Sequence, residues 1–198
     1  MDPKTLVFIG RSGCGKGTQA KLIVDELKNR DVSREVIYVE TGENFRKFLK
    51  GDSYSAALSR DIYAKGLLQP EFLAVYMWSN VLVDSVTGPE HLVLDGVPRK
   101  QREAMVLDSA FEYYKRTTPT IIHIDVSEMW SRERLKERKR VDDVDEDDVA
   151  KRLAWFQTDV KPAIDWYRTA PGYRFVEVNG ERSIEEIHTD IRQAIFGE

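Results

Sequence analysis

One cysteine, Cys14, occurs in 198 residues. A single thiol excludes an intrachain disulfide and any zinc site built on several cysteines. No apolar run approaches the length that crosses a bilayer. The N-terminal stretch MDPKTLVFIG has no basic segment followed by a long apolar core, so it does not read as a secretory signal and a cytoplasmic location is expected. No internal repeat is visible. The net charge of −4 is small and negative, which gives no reason to expect a nucleic-acid or membrane partner. What remains is an ordinary globular composition, 41% hydrophobic and 32% charged, at a length that suits one domain with a substantial core.

Short β-branched runs recur at Leu6–Ile9, Val36–Val39, His91–Leu94, Thr120–Ile124 and Tyr173–Val178, separated by long helix-compatible stretches. That alternation predicts a three-layer α/β fold with a mostly parallel five-stranded sheet flanked by helices. Ile184, Ile187, Ile191 and Ile195 form one helical apolar stripe. Val149, Leu153, Phe156, Val160, Ile164 and Tyr167 form another, which Pro162 should kink without ending it, because the stripe continues in phase. Residues 40–90, all helix-like, exceed what one crossover helix needs and read as a helical insertion. In RERLKERKRVDDVDEDD, residues 132–148, a basic run meets an acidic one. On charge alone that is a solvated helix followed by a loop.

The most specific stretch is Gly10-Arg11-Ser12-Gly13-Cys14-Gly15-Lys16, which satisfies G-x-x-x-x-G-K directly after one predicted strand and before a predicted helix. Glycines there let backbone N–H groups and a helix N-terminus face phosphate oxygens, and the lysine adds a point charge. The plain alternative, a glycine turn with an incidental lysine, does not explain both flanking elements. After the lysine comes Gly17, and only then Thr18, where the standard loop has a magnesium-binding hydroxyl at once.

This G-K-G-T form resembles the loop of the adenylate kinase and nucleoside monophosphate kinase family, with Ser12 where the family commonly carries proline. Further matches follow in chain order. Thr41-Gly42-Glu43-Asn44-Phe45-Arg46 is similar to the family's T-G-D-x-L-R, and Gly66-Leu67-Leu68-Gln69-Pro70 to its G-x-L-V-P. Asp95-Gly96-Val97-Pro98-Arg99 resembles D-G-F-P-R, and Val178-Asn179-Gly180 the turn near the donor adenine. Arg134, Arg138, Arg140 and Arg152 resemble the lid arginines and the helix after them. The resemblance implies a single P-loop kinase domain with an acceptor-binding insertion at 40–90 and a short lid loop at 134–144, in which only Lys139 separates Arg138 from Arg140. It implies transfer of the γ-phosphoryl group of ATP to a nucleoside monophosphate, AMP first, by a monomer that uses Mg2+. Lys16, Arg99, Arg138, Arg140 and Arg152 would be catalytic. Gly13, Cys14, Gly15, Lys16, Gly17, Thr18, Arg134 and Gly180 would hold ATP. Thr41, Arg46, Gln69, Gly96, Arg99 and Glu103 would hold the acceptor. Asp95 would organise the metal through water, with Thr18 as a second candidate ligand.

The chemistry of the residues agrees with that reading. An acceptor phosphate is already an ionised nucleophile, so positioning and positive charge carry most of the catalysis, and arginine forks bind phosphate oxygens in pairs. Glu103 stands where adenylate kinases place a base-reading glutamine. A carboxylate only accepts, which suits guanine or cytosine, whereas by the family resemblance Thr41 favours adenine, and Gln101 could take over the contact. GMP, CMP or UMP kinases therefore remain alternatives, as does a nucleotide-binding regulator without turnover. A GTP-type switch is disfavoured, because the chain has no N-K-x-D guanine motif.

Overall fold

The structure, a computed structural model, describes residues 1–138 and 146–197. Its strands are β1 (Thr5–Gly10), β2 (Val36–Glu40), β3 (His91–Asp95), β4 (Thr120–Asp125) and β5 (Arg174–Asn179). They pair in the order β2-β3-β1-β4-β5, and every pairing is parallel. β1 and β3 lie inside the sheet and are buried along their whole length. Covered on both faces, such strands read as unbroken apolar runs. The edge strands β2 and β5 are only partly buried, and all five lie within a residue or two of the runs read from the sequence.

Helices cover both faces. α1 (Lys16–Arg30) and α9 (Ile184–Phe196) pack one side, where Ile23, Leu27, Ile187, Ile191 and Ile195 meet Leu6, Phe8 and Ile122. On the other side α4 (Glu71–Ser85), α5 (Gln101–Tyr113) and α8 (Lys161–Thr169) bring Trp78, Leu82, Leu107, Phe111 and Tyr167 onto Val7, Ile9 and Leu94. Each fully buried aliphatic side chain of this kind stabilises the fold by roughly 1.5–3 kcal/mol. α9 starts at a capping box, with Ser183 and Glu186 bonding reciprocally. Ile184, the first residue of the expected stripe, is half exposed rather than packed.

Within residues 40–90, α2 (Thr41–Phe48) and α3 (Tyr54–Ala64) bury little, whereas α4 reaches the core through Trp78 and Leu82. α4 thus serves as the crossover helix, and α2 and α3 are the added part. α6 (Glu128–Arg138) contains residues 134–138 of the expected lid; residues 139–145 lie outside the described residues. The long second stripe is carried by α7 (Glu146–Trp155), a π turn at Phe156–Val160, and α8. Proline lacks the N–H that the α-helical ladder needs. At Pro162 the chain meets that deficit with a wider turn just upstream and keeps the stripe on the core. Among the described residues, no helix is long and apolar enough to cross a membrane.

Candidate active site

All five parallel strands end at one edge of the sheet, at Gly10, Glu40, Asp95, Asp125 and Asn179, with Glu40 opposite Asp95 and Asp125 opposite Asn179 in register. Loops beyond the carboxyl ends of parallel strands are where such sheets bind ligands. Here they enclose a cleft of about 630 Å³.

The loop between β1 and α1 forms its floor. Gly15 caps α1 at φ +92°, a left-handed conformation that glycine adopts without strain. The Cys14 thiol turns down among Leu6, Phe8 and Ile23, and burial pushes its pKa up. Cys14 therefore offers the cleft its backbone. Lys16 Nζ donates to the Arg11 carbonyl oxygen at 3.3 Å, so the loop wraps its own ammonium group. Arg11 is itself buried, with its guanidinium 3.9 Å from the centre of the Phe156 ring. Burial lowers its pKa, against the pull of Glu128 and Asp125. That stacking ties the loop to the π turn and was not foreseen in the sequence.

Asp95, at the end of β3, is buried beside the loop. Its Oδ2 accepts from the Tyr38 hydroxyl at 3.2 Å, and its Oδ1 has no partner among the described residues. Burial pushes the carboxyl pKa up, Lys16 opposes that shift, and Glu40 adds to it. A Cβ placed on Gly17 would sit 3.0 Å from Asp95 Oδ2. The departure from the standard loop has a physical cause: a side chain at 17 would crowd this carboxylate. Thr18 is exposed and lines the cleft.

Cations converge from separate stretches of chain. Arg152, from α7, donates to Ser12 Oγ at 3.2 Å. Arg134 and Arg138 reach the cleft from α6, and the Arg134 guanidinium lies 4.8 Å from the Trp130 ring centre. Arg99 Nε bonds the Gly96 carbonyl oxygen at 3.2 Å, and Arg46 Nη2 meets Glu40 Oε1 at 3.3 Å. Gly13, Gly96, Gln69 and Gly180 also line the space. Gly180 is fixed against β4 by its N–H bond to the Asp125 carbonyl oxygen at 2.8 Å.

Two expected acceptor residues are not brought to the cleft wall. Thr41 is buried, and its hydroxyl has no partner among the described residues. Glu103 is buried with its Oε2 accepting the Arg99 backbone N–H at 2.9 Å, so its carboxylate braces the turn that carries Arg99. Burial pushes the Glu103 pKa up, opposed by that bond. Arg140 lies outside the described residues. Conversely, Trp130, Ile184, Tyr63 and Glu40 line the cleft without having been singled out. Ile184 could have been suspected, since a stripe residue at the first position of a helix often overhangs the core edge. Trp130 had no signal.

A family model described as adenylate kinase matches residues 8–171. The chain is 30% identical to an adenylate kinase of Parabacteroides distasonis over 193 residues, covering 96% of each protein. It is 29% identical to an adenylate kinase of Leuconostoc mesenteroides over 194 residues, covering 97% of each. It is 27% identical to that of Caldanaerobacter subterraneus over 227 aligned positions, covering 98% of this chain and 96% of the relative. With a phosphate loop, an acidic strand end and convergent arginines in one cleft, and a family match over most of its length, the chain belongs to the adenylate kinase family of phosphotransferases.

Proposed function

We propose that the protein transfers the γ-phosphoryl group of ATP to AMP, giving two ADP. The observation that carries this reading is the convergence of six cations on one cleft. Lys16, Arg46, Arg99, Arg134, Arg138 and Arg152 all line it, drawn from α1, α2, the turn after β3, α6 and α7. The donor phosphates would lie along the loop N–H groups and Lys16, and the acceptor phosphate between Arg46 and Arg99. Arg138 and Arg152 would neutralise charge spread over the transferred group. The acceptor oxygen is already ionised, so the chain needs no general base. Its work is to align two phosphates and keep water out. Lys16 must leave the Arg11 carbonyl oxygen to reach them.

The residues fit a magnesium ion. Asp95 Oδ1 is a buried carboxylate oxygen without a partner among the described residues, and the exposed Thr18 lines the same cleft. One carboxylate with substrate phosphates and water is an ordinary magnesium environment. Asp95 would hold the ion through water, and the ion would offset negative charge on the phosphates.

For the acceptor base, support comes from Gln69 rather than Glu103. Gln69 lines the cleft, donates to the Ser59 carbonyl oxygen at 3.0 Å, and leaves its Oε1 without a partner among the described residues. An unpaired acceptor suits a base that carries an exocyclic amino group, which favours adenine over uracil. The test is diphosphate formation from ATP with each of AMP, GMP, CMP and UMP. AMP should give the highest kcat/KM, and absence of product with all four would refute the assignment.

A further inference from the structure

Glu40 is an acidic residue where a phosphate-binding cleft would be expected to carry none. It is the last residue of β2, beside Asp95 in register, and its side chain is 15% exposed on the cleft wall. It precedes α2 directly but makes no capping bond with its side chain. Instead the two carboxylate oxygens divide between two cations, Oε2 with Lys21 Nζ at 3.2 Å and Oε1 with Arg46 Nη2 at 3.3 Å. The Arg46 guanidinium is folded back to reach it, so that a Cβ on Gly42 would lie 3.3 Å from Arg46 Nη1. Arg46 therefore rests over the first turn of α2, against its own helix and the Glu40 carboxylate.

We infer that Glu40 is an internal substitute for the acceptor's phosphate: it engages Arg46 in the free enzyme and must yield it when the monophosphate binds. The inference rests on the reading of Arg46 as an acceptor-phosphate ligand. A phosphate dianion arriving at Arg46 meets a carboxylate already bound there, and the like charges repel. Binding therefore selects molecules in which Arg46 has swung away from Glu40 or shares its donors. If the paired arrangement holds about nine molecules in ten, acceptor affinity is about tenfold weaker than the cleft's cations alone would give. Small anions gain too little elsewhere to displace the carboxylate. A nucleotide, which also fills the pocket around Gln69, gains enough.

The opposite role for the same contact, a brace that presents Arg46 correctly to the acceptor, makes the opposite prediction. Glu40→Gln and Glu40→Ser both remove the charge, one keeping the size and the other shortening the side chain. The KM for AMP is measured at saturating ATP, and AMP is titrated calorimetrically into the protein without ATP. Both variants should lower the KM and the Kd for AMP by about tenfold, with the KM for ATP unchanged within about twofold. An unchanged or raised KM for AMP in folded variants would overturn the inference and make Glu40 a brace. Wild-type protein that forms no diphosphate with any monophosphate would instead overturn the functional reading.

Discussion

Gly17 offers a sharp test of how the loop and the acidic strand end are fitted together. It is the second residue of α1, and a methyl group there would lie 3.0 Å from Asp95 Oδ2, inside ordinary contact distance. The carboxylate cannot easily retreat, because it is buried and the same oxygen is bonded to Tyr38 at 3.2 Å. Gly17→Ala should therefore displace it by a few tenths of an ångström. In folding terms the variant is nearly neutral. Alanine in a helix is favoured over glycine by at most about 1 kcal/mol, and the crowding offsets part of that. Activity is less forgiving, since a misplacement of about 1 Å in a catalytic array can lose on the order of a hundredfold. A shift of this size should lower kcat by about tenfold. The assay is coupled ADP formation at saturating ATP, AMP and magnesium, with calorimetric melting as the control for folding. Tyr38→Phe frees the carboxylate to move, so the double variant should lose less than the product of the two single losses. Full turnover in Gly17→Ala, with the melting temperature unchanged, would refute the argument that glycine is there for Asp95.

Two further predictions concern buried carboxylates. Glu90 and Arg116 pair at 3.4 Å with both side chains almost wholly buried, and Arg116 also donates to the Glu90 carbonyl oxygen at 2.7 Å. Glu90→Ala leaves that guanidinium without its countercharge and should cost about 3–5 kcal/mol in urea unfolding; a loss below about 1 kcal/mol would refute it. Burial opposes ionisation of Glu90, yet the Thr87 hydroxyl and the Thr87 and Gly88 N–H groups outweigh it and hold the pKa at about 2, below the ordinary 4.5. The stabilisation is therefore complete above about pH 4.5, and the gap between wild type and variant should close as pH falls toward 2. Glu103 runs the other way. Its pKa is raised by burial, so carrying the charge costs the folded state more than the unfolded one. Glu103→Gln keeps an oxygen for the Arg99 N–H and should be at least as stable as wild type at pH 7, with the order of preference among monophosphates unchanged. A shift of that preference toward AMP would show that residue 103 reads the base after all.

The sequence by itself determined the layers and the phosphate loop. Strands such as Leu6–Ile9 and His91–Leu94 are buried on both faces, so their burial is written into consecutive apolar residues. The loop's requirement for glycine at 15 is likewise local, set by a positive φ, whereas the requirement at 17 comes from Asp95 on a distant strand. Helix periodicity also survived Pro162, since Phe156, Ile164 and Tyr167 all reach the same core. Which charges would meet was left to the tertiary structure. Arg152 reaches Ser12 across 140 residues, Glu40 takes Arg46 and Lys21, and Glu103 turns from the cleft to the Arg99 backbone. Nothing in the spacing of these residues distinguishes such partners, because a charged side chain is long enough to serve several neighbours. Only the packing of α2, α5 and α7 at the strand ends selects among them.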